Sequence, residues 1–142
     1  MRSAISSIDK SLGHKPLGYV VDLRDNGGGR LITSEFEPSK LVRARANLTA
    51  GGLIDLVEIR EGDALKTLST DLPETIDLLF LDGAKALCRD ILELVEDRLR
   101  PGALIVADNA DLCPEYLARV RSPAAGYLST PFEEDIELSM RT

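Results

Sequence analysis

The sequence predicts an α/β protein with a mostly parallel sheet that ends in an antiparallel hairpin. From Arg30 onward, apolar runs with strand character alternate with helical patterns, which is typical of parallel strands joined by crossover helices. The runs at 76–81 and 103–107 are almost entirely apolar, as expected of central strands that are covered on both faces. Near the carboxy terminus, two strand-like runs lie so close in sequence that an antiparallel pair is favoured.

The first half of the alternating pattern begins at Arg30. Its predicted elements are a strand at 30–35, a helix from Pro38 to Gly51-Gly52, a strand at 56–60 and a short helix at 64–68. Proline suits the first position of a helix, where the missing N–H would have no partner. Leu41, Ala44 and Leu48 recur at helical spacing and indicate the buried face of this helix.

The second half continues the alternation and closes with the hairpin. Its predicted elements are a strand at 76–81, a helix at 84–99, a strand at 103–107, a helix at 114–121 and hairpin strands at 126–130 and 136–140. The helix at 84–99 has apolar residues at helical spacing, and Pro101-Gly102 are expected to terminate it. Residues 131–135 are expected to form the turn of the hairpin.

Residues 1–29 do not fit the alternation clearly. The run 19–23 is a strand by its β-branched content, or the last turns of a helix that ends at the glycines of 26–29. We favour the helix; the alternative is a replacement central strand. Residues 13–16 are expected to form a loop, and His14 has no Ser or Cys partner in a nucleophile motif.

Composition and charge restrict the partners. The 142 residues carry a formal net charge of −7 without clustered Lys or Arg, which argues against a nucleic acid partner. No apolar run reaches the roughly 20 residues that span a bilayer, and no signal core follows the first residues, so a cytoplasmic protein without membrane contact is predicted. Cys88 and Cys113 lack the spacing of a metal motif and are expected to be reduced packing residues.

Polar residues follow several predicted strands, at the edge where open α/β sheets bind ligands. Glu35 ends the first of these strands and can accept hydrogen bonds from both hydroxyls of a ribose. Equally, Glu35 or Glu37 can cap the helix that opens at Pro38. Asp63 and Ala64 follow the next strand and suit contacts with an adenine, although Asp63 can also be the N-cap of a short helix.

A second polar group follows the two most apolar strands. Asp82 comes after one strand and Asp108-Asn109 after the other, and neighbouring strands would bring them within reach of one cation. Two carboxylates and an amide suit Mg²⁺, unless the acids only cap helices. Lys85 lies in the first helical turn, where the helix dipole disfavours a cation. It is a solvated surface lysine or a general base.

Four segments in fixed order carry a family resemblance: GRLITSEFEP (29–38), VEIREGDAL (57–65), DLLFLDGAK (77–85) and LRPGALIVADN (99–109). Together they resemble class I methyltransferases of the catechol O-methyltransferase and caffeoyl-CoA O-methyltransferase type. The resemblance covers residues 27–142 and implies a Rossmann-like methyltransferase sheet.

The resemblance also implies cofactors and residue roles. The cofactors would be S-adenosylmethionine and Mg²⁺ or another divalent cation. Glu35, Asp63, Ala64 and Asp82 would bind the S-adenosylmethionine. The metal ligands would be Asp82, Asp108 and Asn109, and the catalytic residues Lys85, as base, and Asp82.

The chain departs from this family at its amino end. Relatives have a first strand that leads into an acid-x-Gly-x-x-x-Gly loop, and residues 22–29 have the wrong spacing for it. The amino-terminal helices that cover the acceptor site also have no counterpart. We therefore expect one domain over 1–142, with a divergent segment at 1–26, an incomplete amino-terminal part of the sheet and a methyltransferase-like core at 27–142.

Two functions follow as hypotheses. The first is a metal-assisted O-methyltransferase that acts on a small hydroxylated, catechol-like acceptor, with a homodimer as one possible assembly. The second is an inactive, truncated module that self-associates or binds proteins through an open sheet edge. A dinucleotide oxidoreductase is not supported, since no GxGxxG follows a strand.

Overall fold

The computed structural model describes residues 19–22, as backbone, together with 29–133 and 135–142. These residues form a seven-stranded sheet in the order β3-β2-β1-β4-β5-β7-β6. The strands are β1 Tyr19–Asp22, β2 Arg30–Glu35, β3 Val57–Glu61, β4 Ile76–Leu81, β5 Leu99–Ala107, β6 Tyr127–Phe132 and β7 Ile136–Arg141.

Four α-helices accompany the sheet in the described residues: α1 Pro38–Ala50, α2 Ala64–Thr67, α3 Cys88–Val95 and α4 Pro114–Val120. Short 3₁₀ turns cover Ile54–Leu56, Lys85–Leu87, Glu96–Arg98 and Ala110–Leu112. The start of α1 agrees with its sequence, because Pro38 occupies the first turn and the Glu37 carboxylate accepts from the Ser39 N–H at 3.3 Å. The helix ends before Gly52, because the φ of +68° at this glycine is incompatible with a right-handed helix.

The strand directions confirm the predicted fold class. β2 pairs with β3 in parallel, and β4 pairs with β5 in parallel. β7 is antiparallel to both β5 and β6, so β6 and β7 form the expected carboxy-terminal hairpin. The sheet is therefore mixed, and its parallel pairs bring the ends of β2, β4 and β5 to one edge.

The favoured helix at 19–23 is wrong, because Tyr19–Asp22 is a strand in the centre of the sheet. β1 is antiparallel to β2 on one side and to β4 on the other. A strand between two partners forms backbone hydrogen bonds on both sides, and this tertiary pairing outweighs local helical preference. The sheet is thus continuous where an incomplete part and an open edge were expected. The self-association hypothesis loses that premise.

The direction of β1 decides which edge of the sheet each of its ends reaches. Asp22 pairs with Arg30, the first residue of β2, so β1 ends at the edge where β2 begins. Tyr19 pairs with Thr33 and Phe80, near the carboxyl ends of β2 and β4. The loop expected at 13–16, and residues 26–28 of the breaker expected at 26–29, lie outside the described residues.

The long helix expected at 84–99 is also wrong at its end. α3 is shorter, and β5 begins at Leu99, so Pro101 and Gly102 lie inside a strand. The pairing of β4 with β5 shifts register between Ile76 and Leu78, and Gly102 has a φ of +83°. A bulge of this kind accommodates a proline that donates no ladder hydrogen bond.

The core lies between the sheet and helices α3 and α4. Leu92 and Val95 of α3 pack with the sheet residues Leu79 and Ile105, and Tyr116 of α4 completes the layer, all of them fully buried. This packing fixes α3 and α4 on the sheet and so fixes the turns that precede them. In the described part of the chain, no helix has the length and apolar character needed to cross a bilayer.

Candidate active site

A cavity of about 520 Å³ opens at the carboxyl ends of β2 and β4. Its size lies within the roughly 300–1,000 Å³ range of small-molecule sites. Its wall is mostly apolar, with acidic residues on one side. The described residues that line it are Ser34, Glu35, Phe36, Glu37, Lys40, Gly62, Asp63, Ala64, Leu68, Leu79, Phe80, Leu81, Gly83, Ala84, Leu87, Cys88 and Ile91.

Glu35 is the buried carboxylate of this cavity. It is the last residue of β2 and is only 8% exposed. Its Oε1 accepts a hydrogen bond from the Glu37 N–H at 2.6 Å, so it does contribute to the start of α1. Its Oε2 is buried and has no hydrogen-bond partner among the described residues. A buried acceptor without a partner costs free energy, so a ligand donor at this atom would stabilise the site.

The turn after β3 forms the part of the cavity wall next to Glu35. The Gly62 N–H donates to the Glu35 carbonyl at 2.8 Å, which holds this turn against the end of β2. Asp63 is the N-cap of α2, since its carboxylate accepts from the Leu65 N–H at 3.0 Å. Ala64 follows as the first residue of α2. The capping alternative for Asp63 is therefore present in the structure, beside its place in the cavity wall.

Phe36 is a cavity residue that the sequence did not single out. Its side chain is 76% exposed although it is large and apolar, and it follows Glu35 directly. The position of an aromatic residue directly after a strand-end acid was the available signal. An exposed ring at the mouth of a cavity offers a flat surface for a planar group.

The second polar cluster follows β4 and β5. Lys85 Nζ lies 3.5 Å from Asp82 Oδ1 and 3.7 Å from Asp108 Oδ2, and it donates to the Asp108 carbonyl at 2.6 Å. All three side chains are largely buried. Burial, followed by the neighbouring Asp108 carboxyl group, raises the pKa of Asp82 to about 6, and Lys85 opposes this rise. Lys85 lies in a 3₁₀ turn that leads into α3, where the helix dipole disfavours a cation. The two neighbouring carboxylates stabilise the cation at this position.

Asn109 is held by a residue that the sequence gave no reason to select. Its backbone is left-handed, with φ of +46°, a conformation that Asn adopts more readily than most residues. Its Nδ2 donates to Asp135 Oδ2 at 2.6 Å, and the Ala110 N–H donates to the Asp135 carbonyl at 2.7 Å. The hairpin turn thus fixes both the side chain and the backbone after β5.

The residue types of this cluster fit a divalent cation. Asp82, Asp108 and Asn109 offer hard oxygen donors, which Mg²⁺ prefers. The carboxyl groups of Asp82 and Asp108 are close enough for each to affect the other, and a cation, Lys85, already lies beside both. Among the described residues, no group of three or more His, Cys, Asp or Glu side chains is placed to hold a metal. A cation here would therefore depend on the amide of Asn109.

The predicted site residues thus fall into two adjoining groups. Glu35, Asp63 and Ala64 line the cavity, whereas Asp82, Lys85, Asp108 and Asn109 lie beside it. Gly83 and Ala84 line the cavity and directly precede Lys85, so the two groups share one chain segment.

The two cysteines are buried beside the turn that contains Lys85. Cys88 Sγ and Cys113 Sγ are 2.8 Å apart, and both residues are buried. Burial, followed by contact with Cys113, raises the pKa of Cys88 to about 12. Both are free thiols, as the sequence predicts.

Comparison with known proteins adds a family assignment. Residues 15–110 match a protein family described as a methyltransferase domain. A catechol O-methyltransferase of Mycobacterium tuberculosis is 38% identical over 81 residues, which are 57% of this chain and 37% of that protein. Catechol O-methyltransferase B of Danio rerio is 36% identical over 119 residues, 78% of this chain and 44% of that protein. The chain spans less than half the length of these relatives.

A solved structure shares the fold. The O-methyltransferase TomG of Streptomyces achromogenes, involved in tomaymycin synthesis and solved in complex with SAM, superposes with a TM-score of 0.60 at 25% identity. The superposition covers 82% of this chain and 64% of that chain.

Proposed function

Since the chain belongs to the methyltransferase domain family, we propose that it transfers a methyl group from S-adenosylmethionine to a hydroxyl oxygen of a small, catechol-like acceptor. The similarity to catechol O-methyltransferases supports this acceptor class. The similarity to a SAM-bound O-methyltransferase supports the cofactor.

The observation that carries the proposal is the unpartnered oxygen of Glu35. One carboxylate oxygen is committed to the Glu37 N–H, while Oε2 is buried without a partner among the described residues. A ribose hydroxyl is a donor of the right kind for this atom, because carboxylates at strand ends accept from ribose hydroxyls in nucleotide-binding sheets. The ribose of the cofactor would therefore bind at Glu35.

The adenine would lie between Phe36 and the start of α2. Phe36 offers an exposed ring face, and Ala64 offers a small side chain that lets a flat ring approach. Asp63 Oδ1 caps α2, which leaves Oδ2 for an adenine amino group. Lys66 Nζ lies 4.0 Å from this oxygen and is largely exposed.

The acceptor would bind beside this cavity, at the second cluster. Asp82, Asp108 and Asn109 would hold a divalent cation, which would lower the pKa of an acceptor hydroxyl and orient it. A divalent cation bound by the two carboxylates would replace Lys85 as their counterion, and Lys85 as a neutral amine, with Nζ within 4 Å of both carboxylates, would accept the hydroxyl proton. The cofactor would supply the methyl group and leave as S-adenosylhomocysteine, while these residues would orient the acceptor oxygen toward it.

Methyl transfer from labelled S-adenosylmethionine to a panel of catechols, with Mg²⁺ and with a chelator, tests this proposal. We expect labelled product that requires an ortho hydroxyl pair and is lost in Asp82→Ala. Product formation that is equal in the wild type and in Asp82→Ala would contradict the assigned site. Absence of product with every catechol would contradict the acceptor class.

A further inference from the structure

A pair of thiols joins the two turns that carry the proposed catalytic groups. Cys88 begins α3, directly after the turn that contains Lys85. Cys113 directly precedes α4 and follows the turn after Asn109. The two sulfur atoms are 2.8 Å apart, and the residues are only 2% and 3% exposed. The thiols therefore meet at the point where the two turns approach each other.

The distance between the sulfurs suits bond formation between them. A disulfide has sulfurs about 2.05 Å apart, so an approach of about 0.8 Å is needed. A structural metal would need further ligands, commonly four in a zinc site. The described residues hold no group of three or more His, Cys, Asp or Glu side chains suited to a metal. Oxidation is thus the chemistry that this pair supports best.

The cavity lies against one of the two cysteines. Cys88 is among the residues that line it, whereas Cys113 is not. A small oxidant would therefore approach the pair from the side of Cys88, and because this residue is only 2% exposed, local motion of the cavity wall would be needed. Because burial raises the pKa of Cys88, the thiolate is scarce, and we expect slow oxidation at neutral pH.

We propose that Cys88 and Cys113 form an oxidation site, in which a small hydroperoxide that enters through the cavity converts the two thiols into a disulfide. In the first step, the Cys88 sulfur attacks hydrogen peroxide, the O–O bond breaks, and a sulfenic acid and one water result. In the second step, the Cys113 sulfur attacks the sulfenic sulfur, the S–S bond forms, and the second water leaves. The two thiols are oxidised and the peroxide is reduced.

The disulfide would fix the two turns to each other. It closes a loop that contains α3 and β5, and a cross-link of this type stabilises a fold mainly by restricting the unfolded chain. We expect the oxidised protein to unfold about 6–12 °C above the reduced protein.

Oxidation of the purified chain by hydrogen peroxide, followed by intact-mass analysis and a non-reducing digest, tests the site. We expect the loss of two hydrogens, a cross-linked peptide that contains Cys88 and Cys113, and complete reversal by dithiothreitol. Sulfinic or sulfonic acid on either cysteine without a cross-linked peptide would overturn the proposal. So would an oxidised protein whose unfolding temperature is unchanged.

Two single variants test the route through the cavity. In Cys113→Ser, we expect peroxide to leave a sulfenic acid on Cys88 that dimedone traps. In Cys88→Ser, the remaining thiol lies off the cavity, so we expect trapping at least tenfold slower. Equal rates in the two variants would overturn the cavity route. The wild-type cross-link remains a test that needs no variant to fold.

Discussion

Glu137 is a buried, charged residue whose hydrogen bonds stabilise the fold. It is 1% exposed, yet its carboxylate accepts two hydrogen bonds from Arg121 and one from Ser129. Arg121, followed by Ser129, holds the pKa of Glu137 below its usual value despite the burial, which acts in the opposite direction. Replacement of this carboxylate by an amide removes the charge and one acceptor oxygen, so at least one of the donors loses its partner.

Glu137→Gln is expected to lower the free energy of unfolding at neutral pH by about 1–3 kcal/mol. Because the folded pKa is lower than the unfolded pKa, the ionised pair stabilises the fold above the usual carboxyl pKa. This contribution is lost as the pH falls through the folded pKa. Denaturant unfolding at several pH values should therefore show that the difference in the free energy of unfolding between the wild type and Glu137→Gln becomes smaller in acid. A difference that is constant with pH, or an equal loss in the exposed control Glu74→Gln, would contradict the assignment.

Lys85 is the residue to which we assign the proton transfer. Lys85→Met is expected to lower the methyl transfer rate by about 10²–10⁴-fold, the usual contribution of a general base. Lys85 does not line the cofactor cavity, so S-adenosylhomocysteine should bind with unchanged affinity. Lys66→Met, an exposed change on α2, is the matched control and should retain full activity. Loss of binding and of activity together would indicate a structural role for Lys85.

Asp135 is assigned a positioning role through Asn109. Its carboxylate holds the Asn109 Nδ2, which turns the amide oxygen away from Asp135. Asp135→Ala is expected to weaken Mn²⁺ binding, followed by electron paramagnetic resonance, by about 10–100-fold. Asp135→Asn retains an acceptor oxygen and should restore most of the affinity. Asp111→Ala changes an exposed acid of the neighbouring turn and should have no effect. Unchanged Mn²⁺ affinity in Asp135→Ala would refute this role.

At the level of single elements, local signals predicted most of the strands and helices. Ile76–Leu81 is apolar along its length and became β4 with the predicted bounds. Pro38 and the Gly51-Gly52 pair set the limits of α1. Pro101-Gly102, in contrast, resembles a helix terminator but lies inside β5. The sequence could not show this, because the register shift that accommodates the two residues arises only when β5 pairs with β4.

β1 could not be predicted from its own residues. A short apolar run fits a strand and a helix alike, and its second partner, β4, is distant in sequence. The same limit applies to Asp135, which is 26 residues from Asn109 and reaches it only because the hairpin folds back along β5. Contacts of this kind depend on the assembled sheet.

The central placement of β1 predicts specific backbone proximities. Val20 pairs with Ile32 on one side and with Leu79 on the other. Nuclear magnetic resonance of labelled protein should show cross-strand backbone NOEs from residue 20 to both partners. Strong sequential amide–amide NOEs through 19–22, as a helix gives, would contradict the strand.

For the whole molecule, the sheet order brings the carboxyl ends of β2, β4 and β5 to one edge, and the proposed site depends on this. The sequence predicted which residues lie at that edge, because strand ends are recognisable from apolar runs followed by acids. It did not predict the direction of β1, which carries that strand's end to the opposite edge. The proposed cofactor-binding half of the site therefore rests on Glu35 and the turn after β3, which do not belong to β1.

Calorimetric titration with S-adenosylhomocysteine, in the wild type, Glu35→Gln and Glu61→Gln, tests the central claim most directly. Glu61 is the matched control, since it is an exposed acid at the end of the neighbouring strand β3 and does not line the cavity. We predict micromolar binding in the wild type, about −8 kcal/mol. Loss of the buried carboxylate acceptor should weaken binding tenfold or more in Glu35→Gln, with little change in Glu61→Gln. No binding in the wild type, or equal binding in all three proteins, would contradict the assignment of this cavity to the cofactor.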